Sequence, residues 1–156
     1  MSEEYRRYTA AFMFIDTMPK RVLLVRKTHP RWQEDLLNAI GGEIEGEEDP
    51  LDCMRREFKE EVGFDFDAWN FFCREAGPGY EVYFYRMTFD ERVLYDSLGF
   101  RDRNENDKGE ELVWSEVPVK EPVVGNLNWL IPLALDPRPI SVGAYPKGDI
   151  RKLKTW

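Results

Sequence analysis

Histidine occurs once and cysteine twice in this 156-residue chain, which leaves little material for a metal centre built from imidazole and thiolate. Cys53 and Cys73 are too few for a secreted disulfide framework and lack metal-ligand spacing, so both are expected to be reduced thiols. No apolar run approaches the roughly 20 residues that a membrane span requires. The opening Met-Ser-Glu-Glu-Tyr-Arg-Arg holds no apolar signal stretch, and the expectation is a cytoplasmic protein with no membrane partner. Basic residues are also in deficit. Twenty-two Lys and Arg against thirty Asp and Glu give a net charge of −8, and no basic stripe offers the face that a nucleic-acid polymer demands. A small phosphorylated ligand is still compatible, provided that local Arg and Lys or a bound metal hold the phosphate.

The 42% apolar content and ten Phe are enough for one packed core, with no internal repeat and a single domain expected over 1–156. Tyr8 to Ile15 and Arg21 to Arg26 read as strands around a turn at 16–20, and 27–35 as polar loop. Leu36 to Ile40 is a short strand running into Gly41-Gly42. Trp69 to Cys73, Tyr80 to Phe89 and Leu112 to Trp114 are further strands. The charged stretch between Phe100 and Glu111 has almost nothing to bury and is expected to be mobile. Asn126 to Leu135 reads as a helix capped by Asn126 and disturbed by Pro132, followed by a Pro- and Gly-rich tail over 136–156. Strands outnumber helices, with one long helix between them. That pattern predicts an α+β fold with a mixed sheet and helices packed on it.

The long helix carries the chemistry. Asp49 can cap it, Pro50 suits its first position, and Gly63 suits its left-handed exit. Leu51, Met54, Phe58 and Val62 fall on one apolar stripe. Glu57, Glu60 and Glu61 fall at i, i+3 and i+4 on an adjacent one, where like charges repel. A divalent cation would offset that repulsion, and Mg2+ favours carboxylate oxygens together with substrate phosphates.

The full segment reads Gly42, five residues, Glu48, seven residues, Arg56-Glu57-Phe58, one residue, Glu60-Glu61, one residue, Gly63-Phe64. It resembles the Nudix box over 42–64 at every fixed position. A chance match from background composition is on the order of one in a million. The resemblance implies a Nudix-type α/β/α sandwich with a mixed central sheet, and hydrolysis of the pyrophosphate bond in a nucleoside diphosphate linked to another group. It implies Mg2+, with Mn2+ as a substitute, held by Glu57, Glu60 and Glu61 and by the carbonyl of Gly41. Glu48 and Arg56 look like the pair that orients a ligand carboxylate. Gly41 and Gly42 are expected to let the backbone turn tightly. The general base stays open among Glu60, Glu61 and the loop residues Glu110 and Glu111, with Glu111 carried as the loop candidate.

The box does not name the substrate. Leu36 to Gly42 is similar to the entry of the branch that hydrolyses oxidised purine nucleoside triphosphates, in which an asparagine at the place of Asn38 reads the base edge. The segment from Asn126 to Leu133 is similar to the one that places acidic residues and aromatics against the base, with Asn126 where that branch has acid. Asn38, Asn126, Trp129 and Arg26 are therefore the candidate substrate residues, and His29 reads as a solvated loop residue. A free, oxidised or canonical nucleoside triphosphate is the first expectation, and ADP-ribose, a nucleotide sugar or a dinucleotide the second. A non-catalytic nucleotide-binding module is the third, although no box glutamate is missing. The residues do not set an oligomeric state, and a homodimer stays open.

Overall fold

The computed structural model describes residues 4–99 and 104–138 and the backbone of 142–144. A mixed sheet is built on β1 (Arg6–Ile15), which pairs on its two sides with β2 (Arg21–Arg26) and β6 (Tyr80–Phe89). The remaining strands are β3 (Leu37–Asn38), β4 (Ile40–Glu43), β5 (Asn70–Gly77), β7 (Leu112–Glu116) and β8 (Val142–Ala144). The strand order is β3-β2-β1-β6-β5-β8, with β4 also on β1 and β7 on β2. β1 runs parallel to β6 from Arg6↔Tyr80 to Ile15↔Phe89 and antiparallel to β2 and β4.

Both faces of β1 are buried, which is why its sequence is almost continuously apolar rather than alternating. Ala11, Met13 and Ile15 face one helix, α1 (Pro50–Val62), through Met54, Phe58 and Val62. Phe12 and Phe14 face the other, α2 (Leu127–Ala134), through Leu127, Leu130 and Ile131. The architecture is therefore the α/β/α sandwich that the box implied. The two cysteines are free and buried, and burial pushes the Cys53 thiol up to about 11, so neither is a reactive thiolate.

α1 forms where its local signals placed it. Asp49 Oδ1 accepts from the Leu51 amide at 2.9 Å, Pro50 opens the helix, and Gly63 leaves it at φ 86°. Asp49→Ala should destabilise the fold by about 1 kcal/mol and lower Tm by roughly 2–4 °C. Calorimetry checks this, and an unchanged Tm would mean that the cap bond contributes nothing.

Three expectations are corrected. Asn126 does not cap α2: its backbone is already helical and its side chain makes no cap bond. Gly41 and Gly42 do not turn; they lie inside β4 opposite Ala10 and Thr9, and neither has positive φ. The charged stretch before β7 is not a free loop over 104–111. Glu105 bridges Glu111, and Asn106 and Glu110 are buried, because their polar groups satisfy one another. Residues 100–103, and the tail outside 142–144 from 139 onward, lie outside the described residues.

Candidate active site

α1 presents its glutamates along the edge of β4. Glu57 and Glu61 are buried, whereas Glu60 keeps 49% of its side chain exposed. Arg56 is the hub of this face. Its Nε and Nη2 donate to the two carboxylate oxygens of Glu48 at 2.9 and 3.0 Å, a bidentate fork. Its Nη1 donates to Glu57 Oε1 at 2.7 Å and to Glu60 Oε2 at 3.4 Å, and its Nη2 also reaches the Glu43 carbonyl. The fork holds the Glu48 carboxyl below its ordinary value.

Glu61 has a different environment. Its side chain is 4% exposed, and burial pushes its pKa up to about 7. Asn106 Nδ2 donates to its Oε2 at 3.2 Å, and the nearest cation, Lys108 Nζ, stands 3.9 Å from Oε1. The same Asn106 Nδ2 lies 3.3 Å from Glu110 Oε1. Glu110 is fully buried and also accepts from Lys27 Nζ at 3.0 Å and from the Thr28 amide at 2.8 Å.

Among the described residues no three His, Cys, Asp or Glu side chains are gathered as a metal cage. The three glutamates share a helix side, as their spacing predicts, but Arg56 stands between Glu57 and Glu60 and Asn106 holds Glu61. Their chemistry nevertheless fits a hard divalent cation. Glu61 is a buried carboxylate short of positive partners beside a second buried carboxylate, and every donor is oxygen.

A cavity of about 650 Å3 opens on the α2 side of the sheet. Ala10, Val82, Phe84 and Val124 give it an apolar floor, while Asn38, Glu75, Tyr80 and Asn126 are its polar groups. Trp32, 66% exposed, stands in its wall with Lys27 and His29. Asn38 Oδ1 accepts from the Ala39 amide and its Nδ2 donates to Gln33. Asn126 Nδ2 donates to Glu75 Oε2 at 3.1 Å, which leaves its Oδ1 buried without a partner. Gly41 and Gly42 also line the cavity. On Gly42 a Cβ would overlap the Glu57 carboxylate, so the strand between the cavity and the helix carboxylates is one backbone thick.

The Nudix domain model matches residues 5–134. The chain belongs to the Nudix family. As a Nudix hydrolase it acts on the pyrophosphate bond of a nucleoside diphosphate linked to a second group, and members of the family generally use a divalent metal, usually Mg2+. No curated protein matches the sequence. Solved structures share the Nudix fold at low identity. A MutT protein from Bacillus halodurans is 18% identical with TM-score 0.65, covering 90% of this chain and 91% of that one. A Nudix hydrolase from Nitrosomonas europaea is 10% identical with TM-score 0.65, covering 93% and 80%. The Nudix domain of NrtR from Shewanella oneidensis, solved with ADP-ribose, is 16% identical with TM-score 0.65, covering 82% and 84%.

Within this Nudix fold the sequence candidates separate into two groups. Glu57, Glu60, Glu61 and Arg56 share α1, with the Glu57 carboxylate against Gly42, the neighbour of Gly41, and Asn38 and Asn126 both line the cavity. The other three lie elsewhere. Arg26 spends its guanidinium on Glu111 and Glu121, both at 2.7 Å, so neither Arg26 nor Glu111 turns to the cavity or to α1. Trp129 is 41% exposed and does not line the cavity. Glu110, not Glu111, reaches toward the helix glutamates. Lys27, His29 and Trp32 come from the stretch read as plain loop, and Glu75 from a strand. The one signal for them was Trp32 itself, a large aromatic in an otherwise polar run. No helix among the described residues is long and apolar enough to cross a membrane.

Proposed function

We propose that this chain is a Mg2+-dependent nucleoside triphosphate pyrophosphohydrolase acting on free purine nucleotides, oxidised ones included. The observation that carries this reading is the cavity beside Gly41 and Gly42. It has an apolar floor, two asparagines on its wall and only one thickness of backbone between it and Glu57. Its volume is within the range of small-ligand sites. A purine lies on the floor with Trp32 at its edge. The buried Asn126 Oδ1 accepts from a base N–H, and Asn38 meets a second position on the base edge.

In this reading Glu57, Glu60, Glu61 and the Gly41 carbonyl hold the metal, with Mn2+ able to replace Mg2+. When bound, the cation neutralises charge on the phosphoryl oxygens and lowers the pKa of the attacking water. Arg56 keeps Glu57 facing β4 through its fork on Glu48. Glu60, half exposed and only loosely held by Arg56, takes the proton from water. The water oxygen bonds to a phosphorus of the anhydride, and the bridging P–O bond breaks. The products are a nucleoside monophosphate and pyrophosphate.

Hydrolysis of a panel of canonical and oxidised (d)NTPs with Mg2+, with product identification, tests the reading. Monophosphate and pyrophosphate from at least one purine nucleotide are expected. No release across the panel would overturn it. ADP-ribose belongs in the same panel because the NrtR domain of the same fold was solved with it. AMP and ribose 5-phosphate as the main products would move the assignment there.

A further inference from the structure

Asn106 sits where no periodic pattern announces it, 5% exposed and hydrogen-bonded through both ends of its amide. Its Oδ1 accepts from the Lys108 amide at 3.0 Å and the Glu110 amide at 2.8 Å, which closes the turn before β7. Those two bonds orient the amide, because only the carbonyl oxygen can accept from an N–H. The Nδ2 end is thereby aimed at two carboxylates, Glu61 Oε2 at 3.2 Å and Glu110 Oε1 at 3.3 Å. Glu110 cannot swing away. The Thr28 amide, the Thr28 hydroxyl and Lys27 Nζ also hold it, and Lys27 lines the nucleotide cavity.

We propose that Asn106 is a positioning residue that fixes Glu61 by one oxygen and leaves the other for the metal, on a bridge running through Glu110 to Lys27 in the cavity wall. A carboxylate free to rotate in a buried site spends part of its time in rotamers that cannot ligate. One held by an amide donor keeps its aim. A neutral donor suits this role better than a lysine or an arginine, because a second full cation would compete with the metal. Lys108, the nearby cation, stays at 3.9 Å on the opposite oxygen with its side chain 45% exposed, free to withdraw.

The inference rests on the reading of Glu57, Glu60 and Glu61 as metal ligands. Its test is Mn2+ affinity of the full-length, metal-free protein by calorimetry, for the natural chain, Asn106→Leu and Asn106→Ser. Serine can still accept from the Lys108 and Glu110 amides as a turn residue, but cannot reach Glu61. Both variants should bind Mn2+ roughly tenfold or more weakly, the usual effect of losing a partner of a metal ligand. In Asn106→Ser the amides of Lys108 and Glu110 should keep their protection from hydrogen exchange. The metal concentration for half-maximal hydrolysis should rise by the same factor, while KM for nucleotide at saturating metal stays put. Unchanged Mn2+ affinity, or affinity lost only in step with amide protection, would overturn the proposal. Glu60→Gln run in parallel separates the two claims: if it binds Mn2+ like the natural chain, the ligand assignment is at fault rather than the bridge.

Discussion

Glu61→Gln is expected to lower kcat at least a hundredfold and, in the same protein without metal at pH 8, to raise Tm. The two effects share one cause. Glu61 is buried, and its pKa rises from an ordinary 4.5 to about 7. The folded state therefore binds its proton more tightly than the unfolded chain does. Stability from this group is complete below pH 4.5 and is lost as pH rises through 7. At pH 8 the ionised carboxylate costs about 3 kcal/mol in the metal-free fold. Glutamine removes the charge but accepts a weaker hydrogen bond from Asn106, so a net gain of about 2 kcal/mol remains. That corresponds to a Tm higher by roughly 4–8 °C. The gain should shrink at pH 5, where the natural chain is protonated, and should narrow with Mg2+, which stabilises only a protein that binds it. If Glu61 holds the metal as proposed, loss of its carboxylate weakens the hold on the cation that would neutralise the developing phosphoryl charge, a contribution of several kcal/mol. Scanning calorimetry at two pH values, with and without Mg2+, and steady-state kinetics read both arms. Natural turnover in the variant, or a metal-free Tm that falls at pH 8, would remove Glu61 from the site.

What is legible in the sequence divides by distance along the chain. α1 was legible residue by residue because every signal for it is local: the Asp49 cap, Pro50, the Met54-Phe58-Val62 stripe and the left-handed Gly63. The same stretch fixed the family, and with it the sandwich. The cavity was only half legible. Asn38 and Asn126 came from a resemblance, whereas Trp32 and Glu75 meet them only through the strand order, which no window of sequence contains. The choice between Glu110 and Glu111 turned on a single residue of register. Adjacent side chains on an extended backbone point opposite ways, and the Arg26 amide bonded to the Glu111 carbonyl sends Glu111 to Arg26 and Glu110 inward. Asn106 was missed for a different reason. It is buried by polar partners, and hydrophobic periodicity carries no trace of a residue whose burial is paid for by hydrogen bonds.

Gly41→Ala and Gly42→Ala should fail in opposite ways, although they are neighbours in one short strand. At Gly41 a Cβ would run into backbone: the Thr9 carbonyl oxygen lies well inside van der Waals contact, and Ala10 Cα is 2.8 Å away. Neither can move without parting β4 from β1, so Gly41→Ala should lose roughly 3 kcal/mol and roughly 6–12 °C in Tm. At Gly42 the obstacle is the carboxylate of Glu57, the far end of a flexible side chain. That carboxylate can swing aside, with Arg56 Nη1 losing its 2.7 Å bond, while the fork on Glu48 and the strand pairing stay intact. Gly42→Ala should therefore keep a Tm within a few degrees of the natural chain yet lose about a hundredfold in kcat, on the scale of a misplaced metal partner. Its Mn2+ affinity should fall with it. Melting curves and kinetics on the two variants decide the matter. If Gly42→Ala turns over normally, Glu57 does not act from its place against β4. If Gly41→Ala melts like the natural chain, the close approach of β4 to Thr9 is not what the fold requires. The glycine pair thus separates what this strand does for the sheet from what it does for the carboxylates: one methyl group tests packing, and the next tests chemistry.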